Sequence, residues 1–149
     1  MVRRNEIRKA IIQDEKWIIE IFQENKKILG GKGYGKLQWK RFWDNEKNNE
    51  HWIVIEGVCF CHYLTRIKDG VNVVYEIATK STKKRKGFGK KMIEHIGKPI
   101  SLKTDFDSKE SNSFYKKIGF KEIGISYTKS SNKKMQNYEY TNIKGLFDE

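Results

Sequence analysis

The chain has 149 residues, a usual size for one domain, and 37% of them are hydrophobic, which suffices for one core. Lysine and arginine outnumber aspartate and glutamate by 31 to 19, and the net charge of +12 attracts anions, including phosphate-rich cofactors and nucleic acid. There is no apolar run near the roughly 20 residues that cross a bilayer, no signal-like N-terminal stretch and no Gly/Ser-rich linker. We therefore predict one cytoplasmic domain spanning residues 1–149.

The first half of the chain begins with a predicted strand at residues 7–12. Asp14 then caps a helix whose apolar residues repeat at helical spacing, namely Trp17, Ile18, Ile21 and Phe22. A glycine-rich loop follows at residues 31–43, and its second part has the aromatic spacing of a short helix. Strands at residues 52–55 and 58–65 and a hairpin turn at Asp69-Gly70 lead to a fourth strand at residues 71–79.

The second half alternates helices and strands. Helices are predicted at residues 87–96, with Phe88, Met92 and Ile93 facing inward, and at residues 108–118, with Phe114, Tyr115 and Ile118 on one side. Further strands are predicted at residues 100–104, at 120–127 and, after a polar loop at 129–137, at 138–142. Hairpins followed by strand–helix–strand crossovers predict an α/β (α+β) fold with a central mixed sheet of six to seven strands flanked by helices.

The two cysteines, Cys59 and Cys61, stand two residues apart in the predicted third strand. Their side chains share a face but diverge along it, which is a poor geometry for a disulfide. No histidine pattern accompanies them, so they do not indicate a zinc site. We predict two small buried thiols in a reducing compartment, and no metal.

The turn after the fourth strand concentrates positive charge. Gly87-Phe88-Gly89 opens a helix there, directly after the basic residues Lys80, Lys83, Lys84, Arg85 and Lys86. A helix N-terminus offers unpaired N–H groups and the positive end of the dipole, and glycines let a phosphate approach the backbone. A Walker A loop is excluded because Lys91 follows Lys90, and a dinucleotide fingerprint because Met92 stands where it needs glycine. The turn predicts an anion cradle, with a merely solvated basic turn as the alternative.

A second segment, residues 107–120, contains Asn112 and ends in Phe114-Tyr115-Lys116-Lys117-Ile118-Gly119-Phe120. Together the two segments resemble the Gcn5-related N-acetyltransferase (GNAT) superfamily. Its pattern is Arg/Gln-x-x-Gly-x-Gly/Ala after the fourth strand and an Asn-containing sequence with Phe/Leu-Tyr-x-x-x-Gly-Phe after the fifth. The resemblance is sharp over residues 71–120 and compatible in element order over residues 7–142. It implies an acyltransferase that uses acetyl-CoA as acyl donor.

The resemblance also implies roles for single residues. The cofactor's arm would lie in a gap beside the fourth strand, along the backbone of Ile77, Ala78 and Thr79. The pyrophosphate would be held by the turn residues Lys84, Arg85, Lys86, Gly87, Phe88, Gly89 and Lys90. Ser108 stands where the family often has Asn, so Asn112 is the better candidate to touch the arm. Tyr115 matches the tyrosine that protonates the departing thiolate, with packing alone as the alternative.

Acetyl transfer needs a group that removes the amine proton. Glu76 on the fourth strand is the best-placed carboxylate for this general base, because its neighbours Tyr75 and Ile77 should point the other way. A substrate-orienting or structural role is the alternative for Glu76. Weaker candidates for the base are His62 and Glu56, and surface positions are predicted for His51 and His95.

The acceptor is less well defined, because a fold shared by many enzymes does not identify a substrate. In this family the acceptor site is usually lined by the first helices, their loop and the fourth strand. Here the loop at residues 31–43 interleaves cations with aromatic rings, and we expect acceptor contacts from Tyr34, Trp39 and Arg41. The alternative is an amphipathic helix with its aromatic residues in the core and its lysines in water.

Two other functions are compatible with the sequence. Its charge and loop composition also resemble phage DNA-modifying proteins of the Mom type, which share the acetyltransferase-like fold. The other is a non-catalytic module that binds nucleic acid, although the intact turn and Tyr115 favour an enzyme. We predict acetyl-CoA as one partner and an amine acceptor as the other, whether small molecule, protein or nucleic acid. Nucleic-acid contact would use the basic surface, and no membrane association is expected.

Overall fold

A computed structural model describes the protein at residues 6–25, 49–129 and 131–141. The α-helices along these ranges are α1 (Glu15–Glu24), α2 (Phe88–Ile96) and α3 (Lys109–Ile118). The strands are β1 (Ile7–Lys9), β2 (Glu50–Ile55), β3 (Cys59–Thr65), β4 (Asn72–Thr79), β5 (Ile100–Asp105), β6 (Lys121–Tyr127) and β7 (Lys134–Tyr140). No helix within the described ranges is both long and apolar enough to cross a membrane.

Two strands differ from their predicted ranges by three residues or more, and the other strands differ by one or two. The strand predicted at residues 7–12 ends at Lys9, because Asp14 accepts the Ile11 N–H (2.8 Å) and the chain turns into a short 3-10 helix at Ile12–Asp14. The seventh strand begins at Lys134 instead of residue 138. Its polar first half was predicted as loop, but it completes the ladders to β5 and β6 on both sides.

The described strands form one sheet in the order β1-β2-β3-β4-β5-β7-β6. Neighbours are antiparallel except β4 and β5, which are parallel and are joined through α2. A parallel pair requires such a crossover, whereas antiparallel neighbours accept short turns. The predicted fold class, a mixed sheet flanked by helices, is confirmed.

A β-bulge divides β4 into two parts. Along the β3–β4 ladder the partners step from Glu76 directly to Val74, so Tyr75 is an extra residue. Pairing with β5 covers only the first part of the strand and ends at Val74. The second part, up to Thr79, pairs with β3 alone. A gap therefore opens between β4 and β5 beyond the bulge.

The bulge also changes which face of the sheet the β4 side chains occupy. Val74 packs beneath α2 and α3, whereas Ala78 packs against α1, although an even spacing in a regular strand keeps residues on one face. The core beneath α2 and α3 includes Ile53, Met92, Ile93, Leu102, Phe120 and Tyr138. The core against α1 includes Ile18, Ile21, Phe22, Trp52, Val54 and Phe60. Cys59 and Cys61 are free and buried beneath α2 and α3, as predicted.

Asp14 does not act as the predicted side-chain cap of α1. It stands at the N-cap position, but its carboxylate makes no capping hydrogen bond. Only 2% exposed, it accepts two bonds from the Arg8 guanidinium (2.8 and 2.9 Å) and one each from the Ile11 N–H and the Trp17 indole, both 2.8 Å. Burial would raise the pKa of Asp14, but these donors outweigh it and the pKa is lowered. The network fastens β1 to α1.

We expect Asp14→Asn to lower the free energy of unfolding by about 3 kcal/mol at neutral pH, because it removes the buried carboxylate and leaves Arg8 with the exposed Glu56 as its carboxylate partner. The folded-state pKa of Asp14 is lowered, so its contribution is present above the unfolded value of about 3.9 and is lost as the pH falls through the folded value. Urea denaturation of both proteins should therefore show a difference that shrinks toward low pH. Asp69→Asn, in the exposed pair with Arg66, is the control. Equal destabilisation by the two substitutions would contradict this role for Asp14.

Candidate functional site

Main-chain groups of β4 face the gap beside β5. The Lys80 N–H donates to the Val58 carbonyl on the β3 side (2.8 Å). Because N–H and C=O directions alternate along an antiparallel strand, Ala78 also turns toward β3, whereas Ile77 and Thr79 turn toward the gap. An extended molecule in the gap would meet their groups as an added strand does. The cofactor contacts of Ile77, Ala78 and Thr79 stay predictions.

The start of α2 lies just past the end of β4. A 3-10 turn at Ser81–Lys83 is followed by left-handed backbone at Arg85 (φ 65°) and Gly87 (φ 85°). The first hydrogen bond of α2 runs from the Lys91 N–H to the Gly87 carbonyl (3.0 Å). The N–H groups of residues 88–90 therefore have no acceptor within the helix and point out of its end. With the helix dipole they form a donor set for an anion.

The basic side chains around this helix end are weakly held. Lys84 lies 3.4 Å from Glu110 on α3, with the two side chains 28% and 60% exposed. Lys90 lies 4.0 Å from Glu94 on the outer face of α2. Exposed ion pairs of this kind contribute little to the free energy of unfolding. These lysines can therefore turn to a bound anion with little loss of stability.

Two residues at the end of α1 fasten that helix to the basic turn. Glu24 accepts hydrogen bonds from the Ser81 N–H (3.1 Å) and hydroxyl (2.9 Å), which lower the pKa of Glu24. Asn25 is 3% exposed and donates from Nδ2 to the carbonyls of Ile21 (2.9 Å) and Thr79 (3.2 Å). Sequence reasoning missed both residues, because polar side chains at a helix end carry no signal that names a distant partner.

The two glycines of the motif serve different purposes. Gly87 has the left-handed conformation that glycine adopts at least cost, and a Cβ there would meet nothing within 4 Å. A Cβ on Gly89 would lie 2.9 Å from Cζ of Phe114. Gly89 therefore permits the close approach of α2 and α3, a packing reason that sequence reasoning did not anticipate.

Tyr115 on α3 is 8% exposed, and its ring contacts those of Phe120 and Tyr138, with centroids 5.3 and 5.7 Å away. Burial raises the pKa of Tyr115 well above its ordinary value, with smaller effects from Cys61 and Tyr138, so the phenol keeps its proton. Among the described residues no group hydrogen-bonds its hydroxyl. Buried tyrosines usually find a partner, so this orphaned donor fits a bound molecule.

Asn112 is already engaged within the protein. Its Nδ2 donates to the carbonyls of Asp105 (3.1 Å), Phe106 (3.3 Å) and Ser108 (2.7 Å), and its Oδ1 accepts from the Tyr138 hydroxyl. Ser108 itself caps α3 by accepting from the Ser111 N–H (3.3 Å). Asn112 thus holds the loop between β5 and α3, and its contact with a cofactor stays a prediction.

Glu76 lies just beyond the bulge, and its Oε2 is 2.7 Å from His62 Nδ1. The His62 ring stacks on Trp52, with centroids 4.3 Å apart and planes 9° apart, on the α1 side of the sheet. Ile77 points away into the core beneath α2 and α3, as predicted. Tyr75 was also predicted to point away from Glu76, but the bulge turns its ring toward His62 (5.0 Å between centroids).

The other predicted site residues lie elsewhere or outside the described ranges. Glu56 pairs with Arg8 (2.7 Å), away from β4. His95 is exposed near the end of α2, as predicted, but His51 is half-buried with its ring 4.8 Å from that of Tyr63. The expected acceptor residues Tyr34, Trp39 and Arg41, with the whole loop at 31–43, fall outside the described residues.

Comparison with known proteins gives the fold a clear counterpart. No protein-family model and no curated protein matches the sequence. Solved structures match over nearly the whole chain. Ribosomal-protein-S18-alanine N-acetyltransferase of Escherichia coli is 16% identical over 91% of this chain and 92% of its own, with a TM-score of 0.66. A variant of the spermidine N-acetyltransferase SpeG of Vibrio cholerae is 14% identical over 97% and 98%, with a TM-score of 0.73.

A third structure is that of yncA from Salmonella typhimurium, described as an acetyltransferase and solved with its cofactor acetyl-CoA. It is 12% identical over 93% of this chain and 94% of its own, with a TM-score of 0.70. Likenesses at such identities establish a common fold. The chain therefore has the N-acetyltransferase fold, and the fold implied by the GNAT resemblance is confirmed.

The contact between Gly89 and Phe114 predicts a coupling between α2 and α3. In an open helix position Gly→Ala stabilises by about 1 kcal/mol, whereas here the added methyl group overpacks against Phe114. We expect Gly89→Ala to be at least about 1 kcal/mol more favourable in a Phe114→Leu background than in the parent protein. Chemical denaturation of the four proteins measures this. Gly87→Ala, which strains a left-handed residue, should cost the same in both backgrounds, and an uncoupled Gly89→Ala would refute the packing role.

Proposed function

We propose that this protein is an acetyl-CoA-dependent N-acetyltransferase that acts on a primary amine. The observation that supports this most directly is the gap between β4 and β5, which leads to the open N-terminus of α2. The gap offers main-chain groups to an extended chain, and the helix end offers N–H groups and lysines to phosphates. A molecule with a pyrophosphate at one end and an amide-containing arm has the chemistry for both.

The residues present fit acetyl-CoA. The main chain of residues 88–90 and the basic turn would hold the pyrophosphate, and the gap-facing groups of Ile77 and Thr79 would hold the arm. The orphaned Tyr115 hydroxyl is a third unfilled donor. Three separate sets of polar groups, each suited to one part of the same molecule, support this donor more strongly than any one of them alone. The Thr79 carbonyl is not among the open groups, because it accepts from Asn25 (3.2 Å).

When bound, acetyl-CoA supplies an activated acetyl group as a thioester, which the acceptor nitrogen attacks directly. Glu76 acts as general base and takes the proton that the nitrogen loses. Tyr115 gives its proton to the sulfur that leaves, and its raised pKa means that it holds this proton at neutral pH. Main-chain N–H groups of β4 polarise the carbonyl. The proton that enters at Glu76 and the one that leaves Tyr115 balance over a turnover.

The acceptor is proposed only as a primary amine, with Tyr34, Trp39 and Arg41 lining its site. The similar proteins are an alanine N-acetyltransferase of a ribosomal protein and a spermidine N-acetyltransferase, so a protein terminus and a polyamine are both suitable first substrates. DNA-base modification and nucleic-acid binding without catalysis rest on the net charge and on the composition of the loop at residues 31–43, and no described contact favours them.

Coenzyme A binding tests the donor site without knowledge of the acceptor. At 100 times its Kd a ligand stabilises the native state by about 2.7 kcal/mol, which raises the Tm of a domain of this size by roughly 5–10 °C. We expect acetyl-CoA to produce such a rise. Lys86→Glu should weaken coenzyme A binding about tenfold in calorimetry by adding an anion at the basic turn. The control is Lys68→Glu in the β3–β4 hairpin, at the opposite end of β4. An absence of any Tm change at millimolar acetyl-CoA would overturn the proposal.

Tyr115→Phe tests the general acid. Because the hydroxyl has no partner among the described residues, its removal should leave the packing and coenzyme A affinity nearly unchanged while kcat falls about 100-fold. Steady-state kinetics with the best amine substrate measures the effect. Tyr140→Phe, whose ring stacks on Phe120 (4.8 Å) near the other edge of the sheet, is the matched control. Equal kcat values for the two variants would show that Tyr115 only packs.

A further inference from the structure

His62 lies between two carboxylates on the α1 side of the sheet. Its Nδ1 is 2.7 Å from Glu76 Oε2, and its Nε2 is 3.2 Å from Glu50 Oε1 on β2. Stacking on Trp52 fixes the plane of the ring, so both contacts are made at once. The side chains are 13% exposed for His62, 21% for Glu50 and 25% for Glu76, so the cluster is sheltered but open to water at its ends.

The two contacts limit where protons reside. A neutral imidazole has one N–H donor and an ionised carboxylate has none, so two hydrogen bonds in this row require two protons. The ring therefore carries both, or it carries one and a glutamate carries the other. Glu76 is consequently not an isolated carboxylate, because its Oε2 shares a proton with His62.

The phenol of Tyr75 also faces this cluster. Burial raises the pKa of Tyr75, and Glu50 and Glu76 raise it further, as two nearby carboxylates do. The ionisable groups that face His62 among the described residues are thus Glu50 from β2 and Glu76 and Tyr75 from β4.

We propose that His62 and Glu50 are positioning residues for the general base. This rests on the proposed acetyl transfer. Glu50 accepts from Nε2–H and holds the ring so that Nδ1–H donates to Glu76 Oε2 across the 2.7 Å contact. Glu76 then takes the proton of the acceptor nitrogen on its other oxygen, Oε1.

Glu76 returns to its starting state when Oε1 releases this proton to water. One proton leaves the acceptor and one enters solvent, so the cluster ends the cycle with the number of protons it began with. Glu76 keeps its orientation throughout, because Nδ1–H donates to Oε2 both before and after the transfer. A lone glutamate at this position would lack this fixed geometry.

Two measurements test this positioning role of His62 and Glu50. The first measurement needs no acceptor. Long-range proton–nitrogen NMR of the full chain resolves the ring nitrogens of its three histidines. Comparison with His62→Gln assigns the signals of His62. We expect Glu50→Gln to shift the ring-nitrogen resonances of His62 and to change their pH dependence. His95→Gln, at an exposed position, should leave them unchanged. Resonances of His62 that are identical in the parent and in Glu50→Gln would overturn the proposal.

The second measurement is kinetic and uses spermidine or a peptide with N-terminal alanine, whichever the parent protein acetylates faster. We expect kcat to fall roughly 10-fold in Glu50→Gln and roughly 100-fold in His62→Gln, with a changed pH profile and an unchanged KM for acetyl-CoA. Glu50→Asp, which keeps the carboxylate, should recover part of the loss and guards against misfolding of the other variants. A parental pH profile in Glu50→Gln would reject the positioning role, whereas failure to bind coenzyme A would reject the proposed enzyme itself.

Discussion

Tyr75 is one residue more than β3 can pair with, and β4 accommodates it by bulging away from β5. The main-chain groups of Ile77 and Thr79 thereby lose the neighbour that the first part of the strand has. The same extra residue shifts the alternation of side chains, so that Glu76 leaves the face of the main core and meets His62. The bulge is thus the structural cause of two features: main-chain groups that no neighbouring strand pairs with, and a carboxylate beside them.

The opposite wall of the site depends on the contact between α2 and α3. Gly87 turns the chain into α2 and leaves the first N–H groups open, while Gly89 lets Phe114 approach that first turn. Phe114 precedes Tyr115, so the packing that places the N-terminal end of α2 also sets the depth of the phenol in the core. Asn112, bonded to the β5–α3 loop and to Tyr138, fixes α3 from its other end. The positions of the α2 N-terminus and of the Tyr115 hydroxyl therefore depend on the same contact.

The sequence predicted the helices well because their signals are local. Glycine marks the start of α2, Ser108 caps α3, and both helices bury residues at helical spacing. It could not predict the bulge, since residues 71–79 have strand character throughout and nothing in their order singles out Tyr75. The link of Glu50 to His62 depends on the β2–β3 register, and that of His62 to Glu76 on the bulge. The polar first half of β7 was missed because its side chains lack the strand pattern. It is a strand because its main chain pairs with β5 and β6.

Charge is distributed along β4 in a way that suits two substrates of opposite sign. The strand rises about 3.3 Å per residue, so Glu76 lies roughly 10 Å from the end of β4 at Thr79, where the basic turn begins. The turn attracts phosphates and repels a protonated amine, whereas the Glu50–His62–Glu76 cluster attracts the amine and repels phosphates. On a protein with a net charge of +12, a sheltered pair of carboxylates is a local exception that would draw a cationic acceptor to one place. The surplus of positive charge would repel such an acceptor from the rest of the surface, which would leave the cluster as the favoured place for it.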